Sequence, residues 1–203
     1  MNNTTPQLPL RGRLAKGMKL TLETERLVLR PFREDDAEAM FRGWTSDPEV
    51  TEYLTWETHR SADETRGLLA RWVSEYEKPE RLNFAIEQKE TGALIGGIDV
   101  VGYLGGVTGT PVIGYNLAKR YWGRGYMTEA CRAVLDLLFL RGYRTVRIDA
   151  MEENVRSIRV IEKCGGRYLR TDEEYTESKK RAVKIRRYEI ECGGRSAGSA
   201  ANE

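Results

Sequence analysis

The chain has 203 residues, 40% of them hydrophobic and 32% charged, which suits one globular domain with a core large enough to fold without disulfide staples. Lys plus Arg outnumber Asp plus Glu by only 33 to 31, so no global field draws the protein to nucleic acid or a membrane, and any affinity for anions is local. Three cysteines without a CxxC pair and a single histidine argue against a disulfide framework and a histidine-rich metal site. They point instead to free thiols, no bound metal, and a reducing, cytoplasmic compartment. Residues 1–20 lack the continuous apolar core of a secretory signal, and no apolar run is long enough to span a bilayer.

Along the chain, residues 1–19 are expected to form a flexible leader, 20–191 the folded domain, and the small polar run 192–203 a disordered tail. The segment RLVLRPF (26–32) alternates apolar and charged residues as a strand that Pro31 ends. Early acids in REDDAEAMFRGW (33–44) suit the positive end of a helix, and Asp47-Pro48 opens a short second one. Ser61 with Glu64 forms a capping-box signature at the head of SADETRGLLARWVSEYE. Strands are expected at 83–88 (NFAIEQ) and 93–104 (ALIGGIDVVGYL), then, after the loop GGVTGT, at 111–117 (PVIGYNL). The apolar run 125–142 reads as a helix that Gly142 stops. A strand at 144–151, a helix at 154–166 (NVRSIRVIEKCGG) and the strands RYLRT and AVKIRRYEI complete the domain. This order implies an α/β (α+β) fold, one mixed sheet carrying helices on both faces.

The stretch RYWGRGYMTEA (120–130) sets glycines and arginines immediately before a buried helix. It lacks the Gly-Lys-Ser/Thr of a P-loop, and Thr128 stands where a dinucleotide turn needs a third Gly or Ala. Glycines here let backbone approach a ligand, and the free N–H groups of a first helical turn point at an anion. Locally, a basic helix start with permissive glycines describes the same residues equally well. Asn154 opens a helix as its N-cap, with Ser157 at the third helical position. Asp99 interrupts an otherwise apolar strand, where a charge is costly unless paired or beside a cleft. The rings of Tyr53, Trp56 and His59 suit either packing or a cleft wall. In SKKRAVKIRR (178–187), the cations alternate with Ala182, Val183 and Ile185, which favours a solvated strand face over an RNA platform.

Arg120-x-x-Gly123-x-Gly125 resembles the Q/R-x-x-G-x-G/A signature of the GNAT superfamily of acyl-CoA-dependent N-acyltransferases. GYNLAKRYWGRGYMTEACRAVLDLLF, NVRSIRVIEKCGG and LETERLVLRPFREDDAEAMF are similar to the branch containing the ribosomal-protein N-terminal acetyltransferases, and the likeness spans roughly 20–190 in order. The resemblance implies a mixed, mostly antiparallel sheet splayed at its middle, with acetyl-CoA as co-substrate. It places the pantetheine arm along Gly114 to Leu117 and the pyrophosphate on amides around Arg120 to Thr128. The implied cofactor-side residues are Tyr115, Asn116, Leu117, Arg120, Gly123, Arg124, Gly125, Tyr126, Met127, Thr128, Asn154 and Ser157. The Leu117 amide would hold the developing oxyanion, and Ser157 would polarise the leaving thiolate or relay a proton to it.

Many members carry a tyrosine four residues after that serine; here the position is Ile161, which removes this route to acid catalysis. Tyr53, Trp56 and His59 become the acceptor-side candidates. Asp99 is the first candidate for the general base, ahead of Glu52, Glu57, His59, Glu129 and Glu173. The implied activity is direct acetyl transfer to a primary amine, on a protein N-terminus or a small molecule, by a monomer or homodimer. The alternative is a CoA-binding sensor or scaffold that has lost catalysis.

Overall fold

The computed structural model of the chain describes residues 20–76, 78, 81–101 and 109–193. The expected leader, the expected tail beyond Gly193, the end of the strand expected at 93–104 and most of the GGVTGT loop lie outside the described residues.

Eight strands form one sheet: β1 (Leu22–Glu23), β2 (Leu27–Pro31), β3 (Leu82–Gln88), β4 (Leu94–Val101), β5 (Val112–Leu117), β6 (Thr145–Met151), β7 (Arg167–Thr176) and β8 (Arg181–Glu191). Their spatial order is β1-β2-β3-β4-β5-β6-β8-β7. All neighbours pair antiparallel except β5 and β6, which run parallel. A parallel pair needs a crossover, and helix α4 (Tyr126–Leu140) supplies it. The β5–β6 ladder holds only Val112 opposite Arg147 and Ile113 opposite Ile148. Beyond Ile113 the two strands part, so the sheet is splayed at its middle as expected.

Strand alternation sorts side chains onto two faces. On one, Phe84, Ile98, Ile113 and Leu117 join a core with α4 and with Ile158 and Ile161 of α5 (Val155–Lys163). On the other, Phe32 and Ala85 pack with Met40 of α1 (Ala37–Met40), Val50 of α2 (Pro48–Thr51) and Leu69 of α3 (Ala62–Glu75), together with Trp44. Helices therefore cover both faces.

The helix expected over 33–44 is broken into a 3-10 turn at Glu34–Asp36, α1, and a π turn at Phe41–Thr45. Its early acids do not all serve the helix dipole. Asp36 takes two bonds of 2.8 Å from the Arg30 guanidinium and a third from the Arg33 amide. Arg30 also reaches Glu87 at 2.8 Å, so a nearly buried cation is fully paired. At α3, Ser61 accepts from the Glu64 amide at 3.2 Å, but the Glu64 carboxylate takes the amide of Arg60 rather than of Ser61, one residue early for a capping box. Strand β7 runs past the expected RYLRT to Thr176 because charge pairing across the β7–β8 hairpin replaces apolar alternation: Arg187 on β8 binds Asp172 at 3.0 Å and Glu174 on β7, and also Asp149 of β6 at 2.6 Å. Cys131, Cys164 and Cys192 form no disulfide among the described residues. Among the described residues, no helix is long and apolar enough to cross a membrane.

Candidate functional site

Helix α4 begins abruptly. Gly123 and Gly125 adopt φ of 75° and 79°, a left-handed turn that side chains resist, and no side chain caps the helix. The amides from Gly123 to Thr128 donate to no described residue, so they form a row of free N–H groups at the positive end of a helix. Arg120 and Arg124 lie beside them, stacked near the Tyr121 ring at 5.0 and 5.9 Å.

The turn is held from behind. Arg26 donates from Nη1 to the Arg124 carbonyl at 3.0 Å and sits 4.4 Å over the Tyr126 ring. Glu129 fixes Arg26 in turn, accepting from its backbone N at 2.9 Å, from its Nε at 2.7 Å and from the Thr24 hydroxyl at 2.6 Å. Burial pushes the Glu129 carboxyl up, but the Thr24 and Arg26 bonds outweigh it and hold the group below the usual carboxylate range. Glu129, a candidate base by sequence, is a brace for the turn.

Strand β5 leads into this turn with one edge open. The Ala118 amide bonds Ile95 O at 2.8 Å and the Arg147 amide bonds Pro111 O at 2.8 Å. Alternation then directs the backbone groups of Asn116 toward β4 and those of Tyr115 and Leu117 toward β6, where no paired strand follows. The Leu117 carbonyl is taken by Trp122 Nε1 at 2.7 Å, which leaves its amide facing the gap. An extended amide-bearing arm can pair here as an added strand. Across the gap, the Asn154 side chain caps α5 by accepting from the Ser157 amide at 3.1 Å, and the Ser157 hydroxyl lies 2.8 Å from the Tyr115 hydroxyl. Burial first, and then the Cys131 neighbour, push the Tyr115 phenol well above its usual range, which the Ser157 bond only partly offsets.

On the opposite face, Asn83, Asp99 and Gly114 lie in one row across β3, β4 and β5. Gly114 has no side chain to compete, so Asp99 Oδ1 reaches to 3.0 Å from where a Cβ would stand and overhangs β5 at the point of divergence. Burial pushes the Asp99 carboxyl up to about 6, with Arg81 pulling it partly back. Asn83 Nδ2, Asn116 Oδ1 and Trp44 Nε1 are buried without hydrogen-bond partners. Unsatisfied polar atoms are costly in a core, and their gathering on one face suits a ligand. The Asn116 side chain, a cofactor-side candidate by sequence, thus lies on the face away from α4 and α5, beside Gly97 and Phe32.

The segment after α2 reaches the β7–β8 turn, where the Ser178 hydroxyl donates to the Leu54 carbonyl. Lys179 Nζ bonds Thr51 O at 2.8 Å, which ties it to the β7–β8 turn. Burial, Glu52 and then Glu153 raise the Tyr53 hydroxyl, so Tyr53 stands near the start of α5. The Trp56 ring lies tilted against His59 with centroids 5.3 Å apart, while His59 Nδ1 bonds Thr65 at 2.7 Å, and burial lowers the imidazole below its ordinary value. His59 is therefore anchored to α3, while Tyr53 lies close to Glu153 and Arg156. Sequence reasoning passed over Asn83, Trp44 and Arg26. Only Asn83 carried a signal, as a polar residue inside an apolar strand.

An acetyltransferase (GNAT) domain family matches residues 26–167. A Bacillus licheniformis protein, the uncharacterized N-acetyltransferase p20, is 28% identical over 173 residues, covering 81% of this chain and 92% of its own. The solved structure of a GNAT-family acetyltransferase from Bacillus anthracis is 26% identical, with a TM-score of 0.72 over 85% of this chain and 98% of that one. RimL, a ribosomal L7/L12 α-N-protein acetyltransferase, shares the fold at a TM-score of 0.74 and 18% identity, covering 86% of this chain and 96% of its own.

Proposed function

Because the chain belongs to the GNAT family of acetyltransferases, we propose that it takes an acetyl group from acetyl-CoA and passes it directly to a primary amine. The carrying observation is Asp99 overhanging Gly114 where β5 leaves β6, next to the open β5 edge and the uncapped start of α4. The residues present fit the donor. The free backbone edge of Tyr115 and Leu117 matches the amides of a pantetheine arm, and the unpaired N–H row from Gly123 to Thr128 matches a pyrophosphate.

The chemistry follows from the side chains. A primary amine arrives largely as ammonium and must lose a proton before it attacks. Asp99, with its carboxyl raised to about 6, is a stronger base than an ordinary aspartate and is the group we assign to this step. The free amine then attacks the thioester carbonyl, and the Leu117 amide stabilises the oxyanion. Collapse breaks the C–S bond with its electron pair going to sulfur, and the cationic nitrogen gives up its remaining extra proton, which neutralises the departing thiolate. A thiol has a reference pKa of about 8.5, so leaving as thiolate at pH 7 costs only about 2 kcal/mol. A hydrogen bond from Ser157 is sufficient help, which fits Ile161 in place of an acid.

The acceptor enters from the α1–α3 face, where Trp44 Nε1 and Asn83 Nδ2 offer donors and Asn116 Oδ1 an acceptor. That mixture suits a peptide terminus, with its carbonyl beside its amine, and the shared fold with an N-terminal protein acetyltransferase supports the same choice. The test is thiol release from acetyl-CoA with short peptides, the same peptides blocked at the N-terminus, and small amines. Release with free but not blocked peptides is expected. CoA binding by calorimetry with no release for any amine would instead identify a sensor or scaffold.

A further inference from the structure

The geometry points to Tyr115 as a positioning residue that sets the direction of the Ser157 hydroxyl and so lets it donate to the departing sulfur. The two residues are 42 positions apart, yet their hydroxyl oxygens lie 2.8 Å from each other. Both are firmly placed. The Tyr115 ring packs against the α4–α5 core from β5, and the Ser157 amide is held by Asn154.

A phenol kept protonated by burial must donate its hydrogen, and here it has two acceptors: Ser157 Oγ at 2.8 Å and the Ser157 carbonyl at 3.3 Å. If it donates to Oγ, the serine hydrogen is left free to point into the β5–β6 gap. If it donates to the carbonyl, the serine can donate back to the phenol, and its hydrogen is turned away from the gap. The shorter distance favours the first arrangement. Without the phenol, a helical serine commonly bonds back to a carbonyl three or four residues earlier, and at the third helical position the one in the helical row is that of the N-cap Asn154. Tyr115 thus acts through Ser157, by hydrogen bonding and without giving up its proton. In this way the sheet supports the leaving group from a residue that no helix motif contains.

The inference rests on the acetyl-CoA reading above, so CoA binding is measured first, by calorimetry. The thiol of bound CoA is then titrated by thiolate absorbance, with the CoA-free protein subtracted, in the wild type, Tyr115→Phe, Ser157→Ala and the double variant. A hydrogen bond to a thiolate lowers the thiol pKa, so each single variant should raise it by roughly one pH unit. The double variant should show no further rise, and CoA affinity should stay within about twofold. Ser157→Thr, which keeps a hydroxyl beside Tyr115, should retain the wild-type titration. Peptide turnover should fall about five- to tenfold in either single variant and no further in the double. Absence of CoA binding by the wild type overturns the acetyl-CoA reading itself. Binding with an unchanged thiol pKa in Tyr115→Phe, or effects that add in the double variant, overturns the role of Tyr115 alone.

Discussion

Replacing Asp99 with asparagine should make the protein slower and more stable at once. The carboxyl stands at about 6 against an ordinary 3.8 because burial disfavours its charge. Each tenfold change in proton affinity is worth about 1.4 kcal/mol, so holding Asp99 ionised costs the fold on the order of 3 kcal/mol at neutral pH. For an acid with a raised folded pKa, the favourable contribution is complete below the unfolded value and is lost as pH rises through the folded one. The stability difference between Asp99→Asn and wild type should therefore be small near pH 3.5, grow between about pH 4 and 6, and level off above. Urea unfolding at a series of pH values reads this directly.

In the kcat/KM profile for a peptide acceptor, the wild type should gain a rising limb near pH 6 that the variant lacks. A limb that persists in Asp99→Asn removes Asp99 as the base. A stability gap that does not change with pH refutes the burial argument itself.

Other expectations concern the scaffold around the site. Gly125→Val forces a branched side chain into a φ of 79° with Arg26 Nη2 3.5 Å from its Cβ. It should cost about 1–3 kcal/mol of strain and weaken CoA binding in calorimetry; unchanged affinity would detach the turn from the donor. Glu129→Gln should destabilise by about 1–2 kcal/mol at pH 7 through loss of its charged bonds to Thr24 and Arg26. Because the folded carboxyl titrates below its ordinary 4.5, that contribution is present above about pH 4.5 and fades in acid. The two proteins should then unfold alike in acid, and a constant gap would point to packing instead. Asp36→Ala strands the nearly buried Arg30 with Glu87 alone, and chemical denaturation should show a loss of about 3–5 kcal/mol; a loss below about 1 kcal/mol would mean that water reaches Arg30.

Much of this fold was legible in the chain because its signals are local. The left-handed glycines before α4, the Asn154 cap and the strand periodicity depend on neighbours within a few residues, and the structure has them where the sequence places them. Asp99 was legible for the opposite reason, as a charge against the grain of its strand. What stayed hidden depends on strand parity and register. The Tyr115–Ser157 contact, the face chosen by Asn116 and the brace from Arg26 to the Arg124 carbonyl each join segments that meet only once the sheet is assembled. The length of β7 was hidden because its stabilising pairs are charges on a partner strand, and these carry no apolar alternation to read.

The parting of β5 from β6 has one more consequence. It turns the sheet into a wall with a slot: Tyr115 and Ser157 stand on one face, Asp99 and Asn116 on the other, and the two faces meet where the strands separate. On the reading proposed above, donor and acceptor are admitted by different doors. Either can leave without displacing the other. Substitutions on the amine's face of the sheet can change which amine is chosen while the machinery that holds CoA stays as it is.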